Sequence, residues 1–226
     1  MELSQVIQKI STLQPKSIFL YGSQARGDAV TDSDFELGVI AEENQDFSRT
    51  QLKNLVGDER FSVYPFKYQE LLERRIDTPF QKNMYLYELI SSAKTVYGEE
   101  LIEHLPLPEI TPLDCAQEVR FNLWYALTAT LAQRNGNAEL AKKLFYKSCL
   151  YGTRILVFLH HWTFPIGYQP IFEASKTLEL WEFGDLVSRA FEIRMGKTLD
   201  EQDWYIYKNI KYLSIFVEPQ IIQRLI

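Results

Sequence analysis

Two apolar runs joined by a polar turn constrain this chain more than anything else in it. Ile18-Phe19-Leu20-Tyr21 stops at Gly22-Ser23, ten residues follow, and Asp34-Phe35-Glu36-Leu37-Gly38-Val39-Ile40 resumes the apolar pattern. Short apolar runs bounded by Gly, Ser and Asp read as β-strands. Alternate residues of a strand share a face, so Asp34 and Glu36 point the same way. A pair of carboxylates that binds a divalent cation needs that arrangement. Gly22 permits close approach to the backbone, and the turn after a strand offers amide N–H groups to phosphate oxygens. The Ser23 hydroxyl adds a donor. A phosphate corner followed by a metal pair points to chemistry on a nucleoside triphosphate.

The rest of the first hundred residues alternates helical and strand patterns. Helical signals cover Leu3–Leu13, Phe47–Val56, Tyr68–Arg74 and Phe80–Ala93, and strand signals cover Ser17–Tyr21, Asp34–Ile40, Arg60–Phe66 and Thr95–Tyr97. Such alternation predicts a sheet packed with helices. Pro106, Pro108 and Pro112 then break any continuous helix, and Thr111-Pro112 reads as a helix cap followed by proline at the first helical position. Long helices are expected beyond it, over Pro112–Arg134, Ala138–Trp162, Phe172–Leu180, Asp185–Met195 and Asp200–Phe216. The second half of Ala138–Trp162 is apolar on nearly every side, which predicts a buried central helix. The expected organisation is α+β, with a sheet domain over residues 1–104 and an all-α helical bundle over 112–226.

Composition narrows the functional classes. A formal net charge of −6 argues against a broad nucleic-acid surface, which needs clustered Lys and Arg, though not against a local basic pocket. The start, Met1-Glu-Leu-Ser-Gln-Val6, lacks the basic and apolar character of a signal peptide. The longest apolar run, Ile155–Leu159, is far short of the ~20 residues of a membrane span. Cys115 and Cys149 have no paired spacing, so neither a disulfide framework nor a zinc site is expected, and the default location is cytoplasmic.

The string Tyr21-Gly22-Ser23, ten residues, then Asp34-Phe35-Glu36-Leu37 resembles the nucleotidyltransferase superfamily of polymerase beta, the aminoglycoside nucleotidyltransferases and the minimal nucleotidyltransferases. Gly22-Ser-Gln-Ala-Arg-Gly-Asp28 and Asp32-Ser33 strengthen the likeness. The resemblance implies a mixed-sheet nucleotidyltransferase domain and transfer of a nucleoside monophosphate from a Mg²⁺–nucleoside triphosphate, ATP being the commonest donor. By it, Asp34 and Glu36 hold Mg²⁺, and Gly22 and Ser23 bind the β- and γ-phosphates. Arg26 either neutralises the triphosphate or is a solvated turn arginine. The acceptor is a hydroxyl on a small molecule, a protein or an RNA end. The superfamily also implies a third carboxylate on a later strand. Arg60–Phe66 carries Ser62, Val63 and Tyr64 where that acid is expected, which leaves Glu70 as the candidate and Asp58 as a second. A catalytically degenerate nucleotide-binding or antitoxin-like module is the alternative.

In the second half, Lys143, Lys147 and Arg154 fall near one helical face. They either face the triphosphate, with Lys147 the foremost candidate, or pair with acids such as Glu118 and Glu139. Arg154 and His160 are spaced as in the Arg–His signature that HEPN ribonucleases carry, which gives a further, less favoured reading. Trp124, Tyr125, Trp181, Trp204, Tyr205 and Tyr207 are expected to lie mostly in the core.

Overall fold

In the computed structural model, which describes residues 1–226 apart from 32, 43, 79, 201–203 and 226, the chain divides into two compact units, Met1–Glu109 and Ile110–Ile226. The first unit runs α1 (Leu3–Ser11), β1 (Ser17–Tyr21), α2 (Gly22–Arg26), β2 (Phe35–Ile40), α3 (Arg49–Val56), β3 (Phe61–Phe66), α4 (Tyr68–Leu72), α5 (Lys82–Ser92) and β4 (Lys94–Gly98). The sheet order is β3-β2-β1-β4. β1 is antiparallel to both β2 and β4, while β2 and β3 are parallel. Parallel neighbours need a long crossover, and α3 provides it.

Strand alternation splits the core into two layers. Ile18, Leu37, Val39, Phe61 and Val63 face Val6 and Ile10 of α1 and Leu52 and Val56 of α3. The intervening residues Phe19, Tyr21 and Ile40 face Leu71 of α4 and Leu86, Leu89 and Ile90 of α5. Glu36 is in the second set by register, so the acidic pair opens on the α4–α5 side of the sheet. The expected polar turn after Tyr21 is instead a one-turn helix, α2, ended by Gly27 in the left-handed conformation.

The second unit is helical: α6 (Pro112–Arg134), α7 (Ala138–His161), α8 (Tyr168–Ser175), a 3₁₀ turn (Trp181–Phe183), α9 (Gly184–Arg194), α10 (Tyr205–Lys211), a π-helical stretch (Tyr212–Val217) and α11 (Glu218–Leu225). Thr111 and Asp114 form a reciprocal capping box at the start of α6, and Asn137 accepts from the Leu140 amide at the start of α7. α7 packs against α6, α8, α9, α10 and the π-helical stretch, and Ile155–Leu159 are all buried. Gly152 makes room for this packing, because a Cβ there would sit 2.2 Å from a Leu213 methyl. The Thr153 and Tyr212 hydroxyls meet at 2.9 Å, and Asn209 donates to Ser148 at 2.7 Å.

Three helical expectations are corrected. Phe172–Leu180 is observed as Tyr168–Ser175, because Tyr168 stacks on Tyr151 and is drawn into the first turn after Gly167. The helix predicted over Asp200–Phe216 is observed from Tyr205, residues 201–203 lying outside the described ones, and it is interrupted by the π-helical stretch. The large aromatics are not mostly core: Trp124 is 70% and Trp181 78% exposed, and Trp162, Trp204 and Tyr207 are exposed as well. α6 buries a line of small and short side chains, Cys115, Val119, Ala126 and Ala129, which brings its backbone close to α7 and leaves Trp124 outside. Among the described residues no helix is long and apolar enough to cross a membrane.

Candidate functional site

The end of β1, the start of β2 and the start of β3 converge at one end of the sheet. Tyr21 pairs with Glu36 across the antiparallel ladder, and Glu36 pairs with Ser62 across the parallel one. Gly22, immediately after Tyr21, has φ +71°, a conformation that side chains with a Cβ rarely adopt. Its missing side chain is occupied by its neighbour. A Cβ built on Gly22 would lie 2.0 Å from Glu36 Oε2. The glycine thus serves twice, permitting the turn into α2 and letting the Glu36 carboxylate rest against the backbone. Gly22→Ala is expected to lower stability in urea unfolding by about 1–2 kcal/mol from the backbone strain, and its crystal structure is expected to show the Glu36 carboxylate displaced.

Asp34 precedes β2 and is exposed. Ser62 Oγ donates to Asp34 Oδ2 at 2.6 Å, and among the described residues this is the hydrogen bond that fixes the Asp34 carboxylate. Ser23 heads α2, where its carbonyl accepts from the Gly27 and Asp28 amides. The approach to Asp34 is held by Ser33, whose Oγ accepts from the Val30 amide at 2.9 Å and whose carbonyl accepts from Gln24 at 3.2 Å. The expectation for Asp32 lies outside the described residues.

Arg26 is engaged by two carboxylates. Its Nη1 donates to Glu88 of α5 at 2.9 Å and its Nε to Asp28 at 3.2 Å, all three side chains being substantially shielded. The arginine thereby ties the corner after Gly22-Ser23 to α5, and neither sequence expectation for it foresaw Glu88. Two tyrosines complete the floor. Burial, followed by the neighbouring Tyr85 and Glu36, pushes the Tyr21 hydroxyl well above its ordinary value. Burial raises Tyr85 to about 12. Both hydroxyls stay protonated at neutral pH, so neither is a resting base.

Glu70 and Asp58 are the candidates for a third acid. Glu70 is on α4, which follows Phe66, and Phe66 pairs with Ile40 at the opposite end of β2 from Glu36. Asp58 is held instead by Arg60, at 2.8 Å, and by the amino-terminal ammonium, at 3.0 Å, which together keep its carboxyl far below the usual range. The residue beside Glu36 on β3 is Ser62. Among the described residues no group of three or more His, Cys, Asp or Glu is gathered.

The pair still fits a small hard cation. Mg²⁺ prefers oxygen ligands and is commonly held by one or two carboxylates together with substrate phosphates. Asp34 and Glu36 would supply two carboxylates, the second resting against the Gly22 backbone.

In the helical unit the predicted basic stripe separates. Arg154 is buried at 3% exposure and donates to the buried Glu118 at 3.3 Å. Its guanidinium lies between the Tyr151 and Phe164 rings, at 4.3 and 4.5 Å. The pairing with Glu118 is the alternative that the sequence offered for it. Lys143 is exposed and Lys147 half-buried on α7. His160 is exposed and meets Gln220 at 3.2 Å, so Arg154 and His160 do not converge on one surface.

This sheet, with its glycine-cradled acidic pair, has a counterpart among known families. Residues 3–96 match the family model described as a nucleotidyltransferase domain. The first unit is a nucleotidyltransferase domain. Beyond this domain, the whole chain is similar in fold to the crystal structure of spectinomycin adenyltransferase AAD(9) from Enterococcus faecialis with ATP and spectinomycin. The TM-score is 0.60 and the identity 13%, over 98% of this chain and 100% of that one. A nucleotidyltransferase-like protein from Exiguobacterium sibiricum 255-15 aligns over 98% of this chain and 78% of its own, at 12% identity and a TM-score of 0.35. No curated protein matches the chain.

Proposed function

We propose that the chain transfers a nucleoside monophosphate, AMP first among them, from a Mg²⁺–nucleoside triphosphate to a hydroxyl acceptor and releases pyrophosphate. The observation that carries this reading is the Glu36 carboxylate resting on Gly22 beside Asp34. Asp34 and Glu36 would hold Mg²⁺, while the Gly22-Ser23 corner would receive the β- and γ-phosphates. The bound cation would neutralise charge developing on pyrophosphate and acidify the acceptor hydroxyl. The acceptor oxygen forms a bond to the α-phosphorus, the bond to the bridging oxygen breaks, and pyrophosphate leaves with the electron pair. The acceptor proton is released to solvent water. Lys147 is kept as a candidate contact to the triphosphate.

The fold neighbour crystallised with ATP and spectinomycin supports ATP as the first donor to try and spectinomycin among the first acceptors. Ser62 in place of an acid favours a second reading, a nucleotide-binding module that does not turn over. One assay separates them. Each of the four triphosphates, labelled at the α-phosphate, is incubated with spectinomycin, RNA ends and a protein lysate, and products are resolved chromatographically. Label in an acceptor supports transfer. No labelled product with any nucleotide or acceptor class leaves only the binding module.

A further inference from the structure

We propose that Ser62 is a positioning residue that fixes the Asp34 carboxylate for cation binding. The inference rests on Asp34 and Glu36 being the pair that holds the cation. The two acids are supported very differently. Glu36 lies within β2, paired to Tyr21 on one side and Ser62 on the other, with its carboxylate against Gly22. Asp34 lies one residue before the strand begins and is exposed, so the sheet ladder does not orient it. Ser62 supplies what the ladder does not. Its register beside Glu36 puts its hydroxyl on the acidic face, and Oγ reaches Asp34 Oδ2 at 2.6 Å, the short range of a hydroxyl donating to an ionised carboxylate.

The bond costs the cation little. An ionised carboxylate has about four lone-pair sites, and one donated proton leaves both oxygens able to ligate. In return the carboxylate is held before the cation arrives, and partners that orient metal ligands in this way typically contribute about 10–100-fold to affinity. A carboxylate in place of Ser62 would instead repel Asp34 and Glu36 until a cation bound. The serine thus makes a two-acid site orderly when empty.

The test uses Mn²⁺ alone as the probe, titrated into the full chain without nucleotide and followed by the electron paramagnetic resonance of the free ion. Ser62→Val and Ser62→Thr are nearly isosteric and differ in the hydroxyl. Ser62→Val is expected to weaken Mn²⁺ binding about tenfold, and Ser62→Thr to stay near the wild type. In an Asp34→Ala background Ser62→Val should have no further effect. Circular dichroism melting of each variant controls for folding. Equal Mn²⁺ affinity in the wild type and a folded Ser62→Val, or a loss that Ser62→Thr shares, overturns the positioning role alone. A wild type that takes up no Mn²⁺, or uptake that survives Glu36→Ala undiminished, overturns the cation pair and this inference with it.

Discussion

Asp34→Ala and Glu36→Ala are each expected to cut transfer of label from α-labelled ATP by on the order of a thousandfold. A cation at the reacting phosphates is worth several kcal/mol of charge stabilisation, and each ~1.4 kcal/mol is tenfold in rate. Ser62, the residue beside Glu36 on β3, is neutral, and Asp58 is held by Arg60 and the amino-terminal ammonium. The structural cost of the Asp34 change is small by contrast. Its side chain is exposed, and the hydroxyl that it releases can turn to water. Asp34→Asn should fail as badly as Asp34→Ala, since shape is kept and charge lost. Initial rates of label transfer, with urea midpoints as the folding control, check this. A folded variant within tenfold of the wild-type rate would remove that carboxylate from the reaction.

The second large effect is on stability and lies in the helical unit. Glu118→Ala is expected to destabilise it by about 3–5 kcal/mol, because it removes a buried carboxylate to which the buried Arg154 donates. Arg154→Ala should cost a similar amount, because it takes a charged donor from the buried Glu118 carboxylate. The attraction within a buried ion pair is largely spent on desolvating it, so the penalty comes from breaking the pair. The double replacement Arg154→Met with Glu118→Leu is therefore expected to recover most of the loss. Urea unfolding of the two single variants and the double variant measures all three. A single variant within 1 kcal/mol of the wild type, on the scale of an exposed pair, would mean that water reaches the pair. The burial of Arg154 also weakens the HEPN reading, since a guanidinium enclosed by Tyr151, Phe164 and Glu118 does not reach an RNA backbone.

Elements whose signals are local were legible in the sequence. The strands ending at Tyr21 and opening at Phe35 follow from apolar runs bounded by small and acidic residues, and Thr111-Pro112 marks the start of α6. Strand alternation predicts Asp34 and Glu36 on one face, but the strand begins only at Phe35, and the contact that holds Asp34 comes from Ser62 on another strand. Whatever depends on which strands pair was not legible. Ser62 was one of three residues considered on its strand, and the parallel register that puts it beside Glu36 appears only once the sheet is assembled. Glu70 follows β3 closely in sequence, and α4 leaves from the end of that strand opposite Ser62. Arg26 meets Glu88 across 62 positions, a pairing that no local pattern announces. The tryptophans show the limit of composition. Size suggests core, but α6 and α7 approach through small side chains and leave Trp124 exposed.

The π-helical stretch at Tyr212–Val217 has the effect of a phase shift. One extra residue in a helix that does not break delays every later side chain by about 100° around the axis. Before it, α10 packs on α6 and α7 and buries Ile206 and Asn209, the latter donating to Ser148 of α7; after it, α11 buries Ile221 and packs on α6. The helical run from Tyr205 to Leu225 thus stays on α6 along its length while its first part and the π-helical stretch also reach α7, without a loop between them. Its pattern of apolar residues belongs to two registers, and the spacing that describes one half is out of step with the other.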